Sequence, residues 1–120
     1  MRKLIALLAL LMFASIAKAH TVSLAWTVSV DDTATNCVAA GSCQQTVYRA
    51  PGACGTATAF VSLGTLTATQ ATYVDSTVTP GAWCYAVTFT MNGVESLKDT
   101  VSVSLQQPTA PTGIRVTGTT

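Results

Sequence analysis

Apolar and polar residues alternate most clearly in the stretch from Thr72 to Leu105. From Trp83 to Phe89, bulky apolar residues stand at every second position, which is the period of a β-strand that buries one face. Pro80-Gly81 and Asn92-Gly93 divide the stretch into three runs. An Asn-Gly pair suits a tight turn because both residues tolerate positive φ. The pattern therefore predicts three strands joined by two short turns.

The segment from His20 to Val30 predicts a further strand. Its apolar face consists of Val22, Leu24, Trp26, Val28 and Val30. We expect this face to be buried and the opposite face to be solvated, as in an antiparallel sandwich. Gly64 lies in a weaker run and indicates a bulge or an edge strand. The other runs that predict strands are 45–50, 60–66, 73–77 and 101–105.

Short strands at regular spacing, without a helical period, determine the expected fold class. They indicate an all-β, Greek-key, immunoglobulin-like sandwich. A chain of 120 residues has room for one such domain, which we place at residues 20–105.

The first 19 residues have the pattern of a helical signal peptide. Met1-Arg2-Lys3 is a positive n-region, an apolar run from Leu4 to Ile16 follows, and Ala17-Lys18-Ala19 fits the small-x-small cleavage rule. The apolar run is shorter than the roughly 20 residues that span a bilayer. We therefore expect cleavage before His20 and a secreted or cell-envelope protein that is not held in the membrane.

The charge of the predicted mature chain excludes some partners. Without residues 1–19 the chain keeps three basic and five acidic residues, a formal charge of −2. Nucleic acids and anionic lipids attract proteins with clustered Lys and Arg. We therefore expect neither as a partner.

Four cysteines follow the predicted signal peptide: Cys37, Cys43, Cys54 and Cys84. An even number of cysteines in an exported chain indicates disulfides, and four cysteines allow three connectivities. Zinc has little support as an alternative, because the chain has no CxxC pair and His20 is its only histidine.

Residues with the chemistry of an active site are sparse. A Ser-His-Asp arrangement would have to use His20 as its base, at the predicted mature N-terminus. Asp31-Asp32 lacks the oxygen-rich loop that calcium needs. An exposed N-terminal His20 could chelate copper, yet Met91 is the only other candidate ligand of the kind that such sites recruit. We expect no catalysis, no metal site and no cofactor.

Five motifs in order resemble a fibronectin type III domain of the kind found in bacterial secreted proteins. Val22-Ser-Leu-Ala-Trp26 resembles the family's strand B, and Val47-Tyr-Arg49 resembles the "VYR" of strand C. Residues 72–78 resemble "TxYxDxxV", residues 80–87 resemble "GxxYxYxV" before and within strand F, and residues 93–96 resemble the "GxES" turn before strand G. The resemblance implies a binding, spacer or scaffold role and does not imply catalysis.

The resemblance also implies a core, with Trp26 at its centre between the sheets. Trp83 stands where the family usually has a tyrosine whose O–H reaches a backbone carbonyl, and an indole N–H can donate in its place. Asp75 and Glu95 stand at turn-like positions, where carboxylates cap backbone N–H groups. They are therefore weak candidates for a glycosidase pair. The implied core residues are Trp26, Trp83, Tyr85 and Val87.

The disulfide pairing is likewise implied by the resemblance. Cys54 follows strand C and Cys84 lies near the start of strand F, and these strands are antiparallel neighbours in the family. We expect Cys54 to pair with Cys84, which leaves Cys37 to pair with Cys43 within one loop.

Three functions remain open at this point. The first is a non-catalytic secreted module for protein interaction, adhesion or spacing. The second is a carbohydrate-binding accessory domain, with Tyr48 as the best aromatic platform. The third is a copper protein with His20 at its N-terminus.

Residues 106–120 form a Pro- and Thr-rich C-terminal tail, in which Pro108 to Val116 resembles the opening strand A of the family, "PxxPxxLxV". No strand-like run precedes the predicted strand B in the mature chain, so the edge of that strand should be open to pairing. Residues 114–117 could fill this place in their own domain or in a neighbouring molecule by β-augmentation. The alternative is a polar tail without structure.

Overall fold

A computed structural model describes residues 19–120, and within this range the protein is all-β with no helix. The predicted signal peptide and its helix lie outside the described residues, apart from Ala19. The strands are β1 (His20–Ala25), β2 (Cys43–Pro51), β3 (Val61–Thr67), β4 (Thr72–Val78), β5 (Gly81–Met91), β6 (Val94–Glu95) and β7 (Asp99–Leu105).

These strands form two antiparallel sheets. The small sheet contains β1 and β4, and the large sheet has the order β3-β2-β5-β6, with β7 also paired to β5. Strand β5 is central because its backbone pairs with β2 along one edge and with β6 and β7 along the other. The arrangement is that of a β-sandwich.

The core lies between the two sheets. It joins Val22 of β1 and Val78 of β4 to Tyr85 of β5, which is only 1% exposed. Tyr85 is therefore buried as the sequence predicts, whereas Val87 and Trp83 are half-buried. The half-buried residues that complete the core are Leu24, Leu63, Trp83, Val103 and Leu105.

The registers define the two ends of the sandwich. His20 pairs with Val78 and Gly81 pairs with Leu105; since only two residues separate Val78 from Gly81, both pairs lie at one end, here called the Leu105 end. Ala25 pairs with Thr72, and Val87 pairs with Asp99. These pairs lie toward the opposite end, here called the Asp99 end.

Strand β1 is shorter than the alternation predicts. It ends at Ala25, where its partner β4 begins at Thr72, and Val30 is 90% exposed. Trp26 therefore lies just beyond the strand and is half-buried, outside the core cluster. Its placement at the centre of the core was wrong, because no strand in residues 19–120 continues the small sheet past Ala25 to cover it.

Both turn predictions agree with the backbone. Asn92 and Gly93 have φ values of 50° and 83°, the left-handed values that a tight turn between β5 and β6 requires. Gly81 follows the Pro80 corner with φ of 134°, a conformation that other residues rarely adopt. Trp83 closes this corner, since its Nε1 donates to the Thr79 carbonyl at 2.8 Å.

Strand β3 is an edge strand with a bulge, as Gly64 indicates. Val47 pairs with Gly64 and Tyr48 with Ser62, so Leu63 has no partner on β2. A Cβ at position 64 would touch the ring of Tyr73 at 3.6 Å, and the Tyr73 hydroxyl donates to the Leu63 carbonyl at 3.3 Å. The bulge thus lies beneath β4.

The cysteines form two disulfides, Cys37–Cys43 and Cys54–Cys84. These are the pairs that the family resemblance implies. The first closes the loop before β2, and the second ties the segment after β2 to the buried Cys84 of β5. Disulfides persist in oxidising, extracytoplasmic compartments, and two of them indicate such a location.

The C-terminal segment forms no strand in this structure. Every residue from Gln106 to Thr120 is exposed, including Ile114 at 98% and Val116 at 80%. The segment leaves the sandwich at the Leu105 end, where β7 stops.

Candidate functional site

An open groove runs between β1 and β7 at the Asp99 end. Leu24, Ala25 and Trp26 form one wall, and three residues from each of β5 and β7 form the floor and the other wall. The groove holds about 440 Å³ of empty space, part of it open to solvent. The wall and floor residues from the large sheet are Tyr85, Ala86, Val87, Asp99, Thr100 and Val101.

The groove exists because only two strands of the described residues form the small sheet. Strand β4 lies over β2 and β3, as the contacts of Asp75 with Arg49 and of Tyr73 with Leu63 show. Strand β1 pairs with β4 on one side, so its other edge faces the β7 side, and no described residue pairs with it there. The unpaired edge exposes backbone N–H and C=O groups directly above the groove.

The inner face of β7 explains the character of the groove. Val101 and Val103 stand opposite Tyr85 and Trp83, whose side chains point to the core, and Asp99 stands opposite Val87. Cross-strand partners share a face. From the Asp99 end, the inner face of β7 therefore presents one acidic residue followed by two apolar residues. Val101 remains 54% exposed because no described residue of the small sheet covers it.

Beyond the Asp99 end the groove continues as two further depressions. The first shares Trp26, Val87 and Asp99 with the groove. The second shares Phe89, Ser96 and Ser29 with the first and ends at Asp31 and Glu95. The continuous surface is apolar along its floor and acidic at its rim.

Trp26 belongs to this surface and not to the core. Its indole Nε1 donates to Oε1 of Gln45 at 2.6 Å, and its backbone N–H donates to the Ala71 carbonyl at 3.0 Å. The Gln45 amide nitrogen in turn donates to the Gln70 carbonyl. These bonds hold the indole in place, so the wall of the groove is preformed.

A buried carboxylate links the two sheets behind the groove. Oδ2 of Asp75 on β4 accepts from Arg49 of β2 at 2.7 Å and from the Tyr85 hydroxyl of β5 at 2.8 Å. Oδ1 accepts from the backbone N–H and the hydroxyl of Thr77. Asp75 therefore caps a backbone N–H, as expected, and also forms an ion pair across the sandwich.

The pKa values of this group follow from its surroundings. Burial alone would raise the pKa of Asp75, but the hydrogen bonds from Tyr85, Thr77 and Arg49 favour the carboxylate and bring its pKa below the ordinary value. Burial, together with the bond to Asp75, raises the pKa of Tyr85 to about 12. Arg49 also stacks on Trp83, with Cζ 4.7 Å from the ring centroid. These polar groups satisfy one another, which is the arrangement of a structural link.

Tyr48 lies on the outer face of the large sheet within a small polar cluster. Its hydroxyl donates to Glu95 at 2.5 Å, and the Thr88 hydroxyl donates to the same carboxylate oxygen at 2.7 Å. The hydrogen bond to Glu95 raises the pKa of Tyr48, while the hydrogen bonds from Tyr48 and Thr88 lower the pKa of Glu95. Lys98 Nζ stands over the Tyr48 ring at 4.9 Å. The Lys98 ammonium group thus covers one face of the Tyr48 ring.

The other residues considered for metal binding lie apart. His20 begins β1 opposite Val78. Asp32 is buried, and its Oδ2 accepts from the backbone N–H of Thr69 at 2.7 Å, where Thr69 has φ of 69°. Within residues 19–120 no three His, Cys, Asp or Glu side chains gather as a metal site would require.

Sequence reasoning missed the groove and the role of Asp75. It did note that the family's strand A has no counterpart before the predicted strand B, and that missing strand is the signal from which the groove could have been found. The partners of Asp75 could not be read from the sequence, since Arg49 and Tyr85 become its neighbours only when the two sheets pack together.

Among the described residues, no helix is long and apolar enough to cross a membrane. Comparison of the chain with protein-family models, with curated proteins and with solved structures returns no match.

Proposed function

We propose that this chain is a non-catalytic, exported β-sandwich of fibronectin type III type that binds a partner protein through the unpaired edge of β1. Five motifs in the family's order support the fold assignment, and the pattern of residues 1–19 supports export. The buried carboxylate and the buried tyrosine hydroxyl are engaged in structural bonds, which favours a binding role over catalysis. Adhesion and spacing are both roles of such modules.

The observation that carries this proposal is the open edge above the groove. An extended segment of a partner can add to such an edge, with main-chain hydrogen bonds giving affinity and side-chain pockets giving specificity. The groove supplies apolar surface at Leu24 and Val101 and an acceptor at Asp99. Its wall is fixed in advance by the bond between Trp26 and Gln45, so that little ordering is needed on binding.

Immobilised protein, incubated with envelope and medium proteins of the source organism, tests the proposal. Val101→Glu places a charge in the groove at a side chain that is 54% exposed, and Val61→Glu places one on edge strand β3 at a side chain that is 65% exposed. We expect partners to be retained by the wild type and by Val61→Glu, and to be lost with Val101→Glu. Retention of the same proteins by Val101→Glu would show that the groove is not the site.

A carbohydrate-binding role is the second candidate, and the half-buried aromatic pair of Tyr48 and Phe60 is the observation that favours it. Lys98 stands over both rings, 4.9 Å from one centroid and 5.5 Å from the other, and would have to move before a sugar could stack there. Incubation with insoluble polysaccharides decides between the two roles. Binding that Tyr48→Ala abolishes and Val101→Glu preserves would favour the carbohydrate role.

A further inference from the structure

We infer that the partner segment is the C-terminal tail of a second copy of this chain, which adds to β1 as an antiparallel strand at residues 112–116. This inference rests on the proposed function, because it uses the same edge and groove, and it names the occupant. The tail carries Ile114 and Val116, which among the described residues are the only two exposed large apolar residues that alternate in a segment outside the strands.

The side chains of the tail match the groove in order as well as in kind. In an extended strand, Thr112, Ile114 and Val116 point to one side and read polar, apolar, apolar. The inner face of β7 reads Asp99, Val101, Val103 in the same direction. A tail strand parallel to β7 therefore brings the Thr112 hydroxyl to Asp99 and the two aliphatic side chains to the valines.

That direction favours a tail from another molecule. Strand β7 runs from the Asp99 end to the Leu105 end, and β1 runs the opposite way. A strand parallel to β7 is thus antiparallel to β1 and must enter at the Asp99 end. The protein's own tail leaves at the Leu105 end, so a direct return would run in the reverse direction and bring Val116 toward Asp99.

Charge also favours binding of the tail to the domain of another copy. Residues 20–105 hold two basic and five acidic residues, a formal charge of −3, whereas residues 106–120 hold Arg115 and no acidic residue. In the inferred strand Arg115 alternates with Ile114 and Val116, so it points away from the groove and toward solvent. The tail thus carries a positive charge to an acidic domain without burying it.

The contact is head-to-tail, since each copy offers its tail at one end and its groove at the other. Such an interface joins unlike surfaces and extends into rings or filaments. We expect the chain to associate as its concentration rises, with species larger than dimers.

Sedimentation velocity of three full chains tests the inference: wild type, Ile114→Asp and Thr117→Asp. Both variants add one negative charge to the tail, but position 114 faces the groove and position 117 faces solvent. We expect the wild type and Thr117→Asp to associate and Ile114→Asp to remain monomeric. A monomeric wild type, or an Ile114→Asp chain that associates like the wild type, would overturn the inference.

A labelled peptide of residues 110–118, added to the Ile114→Asp chain, separates this site from other modes of association. That chain has an empty groove and no competent tail, so we expect one peptide to bind per chain, as measured by fluorescence anisotropy. The same peptide with aspartate at position 114 should bind at least about tenfold more weakly, because a carboxylate would face the apolar groove. Absence of saturable binding overturns the inference.

The two proposals can fail separately. If the peptide does not bind while envelope proteins are still retained by the wild type and lost with Val101→Glu, the groove is a binding site for a different partner. If neither the peptide nor any protein depends on the groove, the proposed function fails as well.

Discussion

Asp75→Asn is expected to destabilise the protein strongly, because Asp75 is the only carboxylate among the described residues that links the two sheets. The substitution keeps the size and one acceptor oxygen but removes the charge. Its partners are Arg49, whose side chain is 21% exposed, and the Tyr85 hydroxyl, which is buried. Both would then face a neutral amide in a site that is 5% exposed.

The expected loss follows from these contacts. Removing one partner of a buried ion pair typically costs about 3–5 kcal/mol, and a hydrogen bond to a charged group contributes about 1.5–3 kcal/mol. Arg49 retains some solvent and its stacking on Trp83, and the amide oxygen can still accept one bond. We therefore expect the free energy of unfolding to fall by about 2–4 kcal/mol, a large share of the total for a small domain.

Urea unfolding at neutral pH with the disulfides intact measures this change. Glu95→Gln is the matched control, because Glu95 also accepts from a tyrosine and a threonine but is exposed, and it should change the free energy by less than about 1 kcal/mol. A cycle with Tyr85→Phe should show a coupling of about 1 kcal/mol or more. A loss below about 0.5 kcal/mol for Asp75→Asn, or no coupling, would refute the role of this link.

Three further predictions concern the same framework. Because its pKa is raised to about 12, Tyr85 holds its proton more tightly in the folded than in the unfolded chain. Its contribution to stability should therefore be complete below about pH 10 and be lost as the pH rises toward 12. In unfolding measured as a function of pH, Tyr85→Phe should flatten this decline. Replacing Cys54 and Cys84 together by serine removes a disulfide whose cysteines have a sequence separation of 30. In the loop-entropy model the free energy of unfolding should fall by about 3–4 kcal/mol, which denaturant unfolding measures. Trp83→Phe removes the bond to the Thr79 carbonyl and should lower stability by about 1 kcal/mol in the same assay; an unchanged midpoint would show that the indole N–H adds nothing at this corner.

The sequence was informative wherever local chemistry determines structure. The alternation around Tyr85, the Asn92-Gly93 turn and Gly64 on an edge strand each follow from properties of the residues themselves. The disulfide pairs followed from the resemblance, which placed Cys54 and Cys84 on neighbouring strands.

The alternation failed at Val30 because a period of two describes one face of a strand but not whether another sheet covers it. Strand β1 stops where β4 stops pairing with it, at Ala25, and this boundary belongs to the partner strand. For the same reason the half-burial of Trp26 and the position of the groove were outside the reach of the sequence pattern. They depend on the edge of β1 that no described strand pairs with.

The position of His20 and Leu105 at the same end of the sandwich has a mechanical consequence. The first residue of β1 and the last residue of β7 both stand at this end. Tension applied through these two residues would peel β1 from β4 one hydrogen bond at a time, and it would not load the strands of the large sheet in shear. A single copy would then bear little force between its two attachments. An added strand that enters at the Asp99 end would shift the line of force to run along the length of the sandwich.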